Sequence, residues 1–326
     1  VLPLQAANTR HCLAYSQTTG DLATFGDPVK GMLLYRKTRL GATLAVGDPI
    51  AEAAQMEALL DRFLRAHPRS SFIQCSEEIA RRLQARGFLV NSFGVETDLI
   101  LSQWNCSGKR AHMLRKNFNK AERMGVTIME ITDDTGQLEQ ARSVSNRWLF
   151  AAHRSHSELA LLTRPPVFAP EPGTRKFASF FNGQMVGIGF FDPLCLKESR
   201  TGYVYQLLRE SPDAPSGTRT HLLLTVAELF RSAGFERLSL GLSPNCLSER
   251  EPLNYSLFTR RVLQFARKWP WYNYEGQQFY KSRFGGEERT VFVASRSRFA
   301  LRLLIALGVE TGIFRTYWDR LRHPMS

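Results

Sequence analysis

The stretch from Tyr203 to Pro244 constrains this chain more than any other. It reads as a strand (Tyr203 to Leu208), a loop (Ser211-Pro-Asp-Ala-Pro-Ser-Gly217), a helix (His221 to Ala233) and a second strand (Arg237 to Leu242). A strand that feeds a loop at a helix start is where α/β folds hold an anionic or reacting group, because the helix presents unpaired N–H donors there. This pattern predicts an α/β fold and makes residues 211–217 the first place to look for chemistry.

The flanking sequence extends the pattern. Lys30 to Tyr35 and Gly41 to Val46 read as antiparallel strands, and Gly47-Asp48-Pro49 closes the second. Glu52 to Ala66 carries Met56, Leu59, Leu60, Phe63 and Leu64 at helical spacing. A short strand (Ser71 to Cys75), a helix (Glu77 to Arg86) stopped by Gly87, and a strand (Asn91 to Leu101) complete a first unit. A second begins near Ser107 with a basic helix, then a strand (Val126 to Ile131) and a helix (Leu138 to Ala152). Lys176 to Phe181 and Gln184 to Phe191 form a hairpin around Asn182-Gly183, the strongest short turn signal present. The Pro-rich piece from Thr163 to Pro172 reads as a surface loop.

Charge narrows the partners. The 43 Lys and Arg against 30 Asp and Glu leave a net +13, which favours a polyanion such as nucleic acid or acidic lipid. Much of the excess sits in the helix expected from Ser107 to Gly125. Lys109, Lys116, Lys120 and Arg123 fall within an arc of roughly 60° at helical periodicity. Arg110 and Arg115 flank that stripe, Glu122 is the one acid, and Ala111, Leu114, Phe118 and Ala121 gather on a core-facing side. Such a ridge suits phosphates of a tRNA acceptor stem or a lipid headgroup; the alternative is a solvated helix between domains. The five scattered cysteines include no Cys-x-x-Cys pair, which argues against a zinc ribbon or a disulfide framework. No signal peptide is expected at Val1-Leu-Pro-Leu, and no apolar run reaches bilayer-spanning length.

The order of elements resembles tandem GNAT acyltransferase folds. The coenzyme A pyrophosphate loop of that fold, Gln/Arg-x-x-Gly-x-Gly/Ala, is absent, and Asp213-Ala-Pro-Ser-Gly217 stands in its place. Three segments in order resemble the catalytic domain of bacterial aminoacyl-phosphatidylglycerol synthases, the multiple peptide resistance factor family. They are Ser107-Gly-Lys-Arg with Arg115-Lys-Asn-Phe-Asn-Lys120, then Pro212 to Gly217 with Leu240-Gly-Leu-Ser-Pro244, and Tyr272-Asn-Tyr-Glu-Gly276 with Phe279-Tyr-Lys-Ser-Arg-Phe284. The resemblance implies two tandem GNAT-like domains with mixed sheets. The boundaries expected are 1–104, then 105–295 including the basic helix, then a basic amphipathic tail at 296–326. It implies transfer of an amino acid from aminoacyl-tRNA to a phospholipid hydroxyl such as that of phosphatidylglycerol, without a cofactor. The chain departs from the family pattern at Gln206, where an acid is usual, and at Arg219-Thr220, where Met-Asp is usual.

Attack of a hydroxyl on an aminoacyl ester needs oriented reactants, a site for the oxyanion and relief of the nucleophile's proton. Backbone N–H groups from Ser216 through Gly217 to Thr218 are candidates for the oxyanion. Asp213 or Glu275 is the candidate for the proton or for the donor's α-amino group; for Asp213 a plain turn role is equally open, and for Glu275 a packed role among Trp269, Trp271, Tyr272, Tyr274 and Phe279. Arg209, Lys281 and Arg283 join Lys109, Arg110, Arg115, Lys116 and Lys120 as candidate phosphate contacts. His153-Arg-Ser-His156 lacks a third ligand at metal spacing, so no metal is expected. Ser216 lies outside a Gly-x-Ser-x-Gly elbow, which argues against a covalent serine mechanism. Phe299 to Val309 is apolar between arginines, which suits peripheral attachment to the inner face of an anionic membrane or, alternatively, a terminal helix packed on the protein. Two further functions stay open: an acyl-CoA-dependent N-acyltransferase, and a non-catalytic tRNA- or membrane-binding module.

Overall fold

Period-two alternation along the strands gives the chain a sheet with two buried faces. The computed structural model describes residues 15, 22–27, 31–38, 41–131, 134–153, 160–196, 199–244, 254–267 and 274–315. Its elements are β1 (Ala23–Asp27), β2 (Gly31–Lys37), β3 (Thr43–Val46), α1 (Ala53–Ala66), β4 (Ser70–Cys75), α2 (Glu77–Gln84) and β5 (Leu89–Ile100). The second half continues with α3 (His112–Arg123), β6 (Thr127–Glu130), α4 (Thr135–His153), β7 (Arg175–Phe181), β8 (Gln184–Leu196) and β9 (Ser199–Glu210). It ends with α5 (Thr218–Ser232), β10 (Arg237–Pro244), α6 (Leu257–Arg267), α7 (Tyr274–Ser282), β11 (Glu287–Ser295) and α8 (Leu301–Glu310). The α/β class read from the sequence is the class observed.

All eleven strands join one mixed sheet in the order β1-β2-β3-β4-β11-β5-β10-β9-β8-β7-β6. Two neighbouring pairs are parallel, β3 with β4 and β9 with β10, and each is bridged by one helix, α1 or α5. The two halves therefore repeat a strand–helix–strand unit. Each half also lends its last strand to the other: β5 lies beside β10, and β11 lies between β4 and β5. The sheet is thus continuous across position 104.

Neighbouring residues on a strand face opposite sides, and the core divides accordingly. Leu44, Ile73, Val204, Val291 and Val293 pack on one side with Leu263 of α6 and Leu303, Ala306 and Leu307 of α8. Their strand neighbours Ala45, Phe72, Phe292 and Ala294 pack beneath α1 and α2. Tyr203, Leu238 and Leu240 pack beneath α3 and α5.

Several elements form for the reasons their sequence suggests. The five apolar residues of α1 are all buried. Asn182 and Gly183 both take positive φ, 50° and 75°, as a two-residue hairpin of this hand requires. Other expectations change. The basic helix starts at His112 rather than Ser107, because Gly108 takes φ 75° and Asn105 Oδ1 accepts from the Ser107 backbone N–H. Of the segment expected as a basic amphipathic tail, Leu301–Glu310 is a helix with one face in the core, which matches the packed terminal helix weighed for it. No described helix is long and apolar enough to cross a membrane.

Candidate active site

The parallel pair β9/β10 stays together for only three residues, Gly202–Val204 against Arg237–Ser239. A register shift between Ser239 and Leu242 then bends β10 along β5, and Gly241 adopts φ 67° within it. Beyond Val204 and Ser239 the two strands part. The opening has Tyr205 to Glu210 on one lip and Leu240 to Pro244 on the other.

Three elements converge on this opening. Lys281 of α7 is only 4% exposed and its Nζ donates to the Leu242 carbonyl at 2.8 Å, with the ammonium 5.3 Å from the Tyr205 ring centre. The neighbouring Tyr280 hydroxyl lies 3.5 Å from Thr220 Oγ1, and the Arg219 guanidinium stacks 4.5 Å over the Tyr280 ring. Burial pushes both phenols, Tyr205 and Tyr280, up to about 12, so each is a neutral donor rather than a base. Arg219 and Thr220, which replace the Met-Asp of the family pattern, therefore stand inside this cluster. Gln206, the other departure, points to the opposite side of β9 from Tyr205: its Nε2 donates to the Arg164 carbonyl at 2.7 Å, and its buried Oε1 has no protein partner among the described residues. Arg164 is itself held by Asp192 at 2.6 Å and Glu171 at 2.7 Å in a buried ion cluster.

The start of α5 forms the rim. Gly217 takes φ 100°, and a Cβ there would sit on the Asn117 carbonyl oxygen of α3, 3.0 Å from its carbon. This glycine thus both turns the chain and lets the basic helix pack against the rim. Of the expected oxyanion donors, the Thr218 N–H is taken by the Pro215 carbonyl at 3.1 Å. The next N–H, that of Arg219, is taken by Glu210 Oε2 at 2.9 Å. For those of Ser216 and Gly217 no partner is found among the described residues. A carboxylate thus already occupies the position where a pyrophosphate would meet the helix dipole.

The two expected acids lie elsewhere. Asp213 is exposed, takes the Ser211 hydroxyl and pairs with Arg147 at 3.2 Å. The Ser211 hydrogen bond holds its carboxyl below the ordinary value, which makes it a poor proton acceptor. Glu275 is exposed at the start of α7 and pairs with Arg267 at 3.3 Å. Glu210 is the acid at the rim, and the sequence reading passed over it although it directly follows Arg209.

The cationic candidates divide as well. Lys109, Lys116 and Lys120 are exposed. Arg115 instead clamps the turn before α3, donating to the Cys106 and Gly108 carbonyls at 2.9 and 3.1 Å. Arg110 is also exposed, and its guanidinium packs against Gly285 after α7. Arg209 is 7% exposed, bonded to Ser145 Oγ and stacked 4.5 Å over Trp148, which makes it a tie between β9 and α4 rather than a phosphate contact. Arg283 stacks 4.2 Å over Phe279. His156, Trp269, Trp271 and Tyr272 lie outside the described residues, as do the side chains of His153 and Tyr274.

Comparison with known proteins completes the picture. A family profile described as "Phosphatidylglycerol lysyltransferase, C-terminal" matches residues 3–295. Among curated relatives, a phosphatidylglycerol lysyltransferase of Staphylococcus epidermidis is 22% identical over 89% of this chain, and one of Staphylococcus aureus 21% over 85%. The chain spans about a third of their length, 34% and 33%. Two solved structures share the fold. L-PGS from Bacillus licheniformis has a TM-score of 0.76 at 20% identity, covering 94% of this chain and 93% of that one. The C-terminal domain of a putative lysylphosphatidylglycerol synthetase from Agrobacterium fabrum has 0.74 at 20%, covering 93% and 94%.

Proposed function

We propose, for a chain that belongs to the phosphatidylglycerol lysyltransferase C-terminal family, that it transfers an aminoacyl group from aminoacyl-tRNA to a hydroxyl of a phospholipid such as phosphatidylglycerol. The observation that carries this reading is the seating of the basic helix on the rim of the strand opening, through Gly217 and Asn117. That contact holds the helix bearing the exposed Lys109, Lys116 and Lys120 against the start of α5, whose Arg219 and Thr220 reach Tyr280 of the cluster, an arrangement that would suit an acceptor stem delivering its 3′ end. The Glu210 carboxylate on the Arg219 N–H favours this donor over coenzyme A, whose pyrophosphate would meet a like charge there.

In this mechanism the lipid hydroxyl oxygen bonds to the aminoacyl carbonyl carbon, and the bond to the tRNA ribose oxygen breaks. The hydroxyl proton leaves with the ribose oxygen, so no net proton is released. The N–H groups of Ser216 and Gly217 and the neutral phenol of Tyr280 supply donors for the oxyanion. Lys281 and Arg219 offset lipid phosphate charge. Glu210 binds the α-ammonium of the aminoacyl group or passes the proton. Most of the acceleration then comes from orientation of an already activated ester. We also place the domain at the inner membrane face, and take 1–104 and 105–295 as units related by duplication that exchanged their last strands.

The test supplies purified chain with charged tRNA and phosphatidylglycerol vesicles and looks for aminoacylated lipid. Product that depends on charged tRNA, and that falls at least tenfold (about 1.4 kcal/mol in barrier) in Glu210→Gln, is the expected result. Turnover with acetyl-CoA and none with charged tRNA would replace the reading.

A further inference from the structure

The outer sides of α6 and α8 carry apolar residues where a helix facing water carries polar ones. Both helices lie on the same face of the sheet, because Leu263 of α6 and Leu303, Ala306 and Leu307 of α8 enter one core cluster. Opposite those inward residues, α8 exposes Leu301, Ile305 and Val309 at fourfold spacing. Opposite Thr259 and Leu263, α6 exposes Leu257 and Phe265, the latter 64% exposed. The two surfaces meet where Phe258 of α6 packs edge-on against Phe299, itself 63% exposed, with ring centres 5.6 Å apart. Neighbouring exposed side chains of this number form a patch, not scattered surface residues.

Charge narrows the occupant. Arg261, Arg298 and Arg302 are exposed at the edges of the patch. Neither α6 nor residues 296–309 contain an acid, and Glu310, the first beyond, is paired with Arg36 at 3.5 Å. An apolar surface rimmed by arginines, on segments that carry no acid, complements the headgroup layer of an anionic bilayer. A hydrophobic protein partner would not require cations in place of acids along both segments.

We propose that the paired outer faces of α6 and α8 form a docking surface for an anionic lipid bilayer. The surface is a rigid part of the folded domain, since its inner side is core, and it holds the protein by shallow insertion of Phe265, Phe299, Leu301 and Ile305. It lies across the sheet from the basic helix, whose Ala111 and Leu114 belong to the opposite core cluster. The Val204 and Leu242 side chains at the strand opening pack toward the α6/α8 side. The inference deepens the proposed function by naming its lipid-facing side, and it rests on that reading for the choice of phosphatidylglycerol as probe.

The experiment is flotation of the purified chain with phosphatidylglycerol-containing vesicles and with pure phosphatidylcholine vesicles. Alongside wild type run Ile305→Glu, Phe265→Glu and Leu301→Lys, the last retaining positive charge. Because Leu301 and Ile305 are exposed, thermal unfolding of their variants stays at the wild-type temperature. Wild type is expected to float with anionic vesicles, and each variant to bind at least about tenfold more weakly, Leu301→Lys included. Transfer to detergent-dispersed lipid is expected to persist in all of them. Wild-type partitioning by the variants would overturn the proposal. So would a dimer that Ile305→Glu dissociates without any vesicle binding, which would assign the face to a second copy. Loss of transfer to dispersed lipid together with vesicle binding would put the face inside the active site and overturn it too. Vesicle binding that depends on this face, in a chain that transfers nothing to any lipid, would leave the docking surface standing and remove the proposed function.

Discussion

Replacing Gly217 by alanine isolates the contact that seats the basic helix on the rim. Two costs arise at this position. The backbone holds φ 100°, which disfavours an L side chain by about 1–2 kcal/mol. The new methyl also meets the Asn117 carbonyl of α3, a backbone group that cannot rotate away. Overpacking of this kind costs roughly a further 1–3 kcal/mol, for a total of about 2–5 kcal/mol. Gly234 provides the control, since it has φ 81° but nothing within 4 Å of a would-be Cβ. Gly234→Ala therefore carries only the conformational cost of about 1–2 kcal/mol. Urea unfolding of wild type and both variants, with the slope held constant, gives the difference directly. The close approach predicts that Gly217→Ala is the less stable of the two by about 1–3 kcal/mol. It also predicts a loss of transfer activity beyond the loss of folded protein, because α3 must shift away from the rim. Equal destabilisation by the two substitutions would refute the argument that helix α3 is held by this glycine.

Other tests address separate parts of the molecule. Lys116→Glu with Lys120→Glu should weaken tRNA binding and flatten its salt dependence, measured by filter binding across a salt series; unchanged binding would remove the ridge from the mechanism. Arg164→Met removes the cation that buried Asp192 shares with Glu171, which keeps Lys176 at 3.3 Å, and should cost about 3–5 kcal/mol in urea unfolding. His221 is buried against Phe118, and desolvation lowers its imidazole below the ordinary 6.5, with Glu122 acting in the opposite direction. The unfolded chain therefore binds this proton first, so the stability His221 contributes is full above 6.5 and declines as pH falls toward its lower folded value. Unfolding midpoints at about pH 8 and about pH 5.5 should diverge less in His221→Phe than in wild type, and an identical divergence would exclude this group.

Much of the fold was legible because its signals are local. Apolar spacing in α1, the positive-φ pair Asn182-Gly183 and the alternation along β7 to β9 each depend on a few neighbouring residues and the geometry of one element. The start of α3 was misplaced by a turn because Ser107 looks like a cap, while its hydrogen bonds go to Asn105 and Gly108 turns the chain the wrong way for a helix. At the site, the segment holding Tyr280 and Lys281 and the loop ending at Gly217 were both picked out. Their roles were harder to assign. Arg209 and Arg115 read as surface cations because sequence gives a side chain's charge but not what it faces. Asp213 stood out inside the loop and Glu210 did not, yet the loop's curvature sends Asp213 outward and leaves Glu210 on the helix start.

Sequence alone determined much of the inventory: most strands and helices between Gly31 and Pro244, where cations concentrate, and that the pyrophosphate loop is missing. Tertiary structure alone decided how the halves combine. β11 pairs with β5 across nearly two hundred residues, Glu287 opposite Asp98, and inserts between two strands of the first half. No local period encodes such a pairing, since any strand with an apolar face could fill that place. The exchange carries α7 back to the opening, puts the Lys281 ammonium on the Leu242 carbonyl, and so converts a run of aromatic and basic residues into one wall of a site.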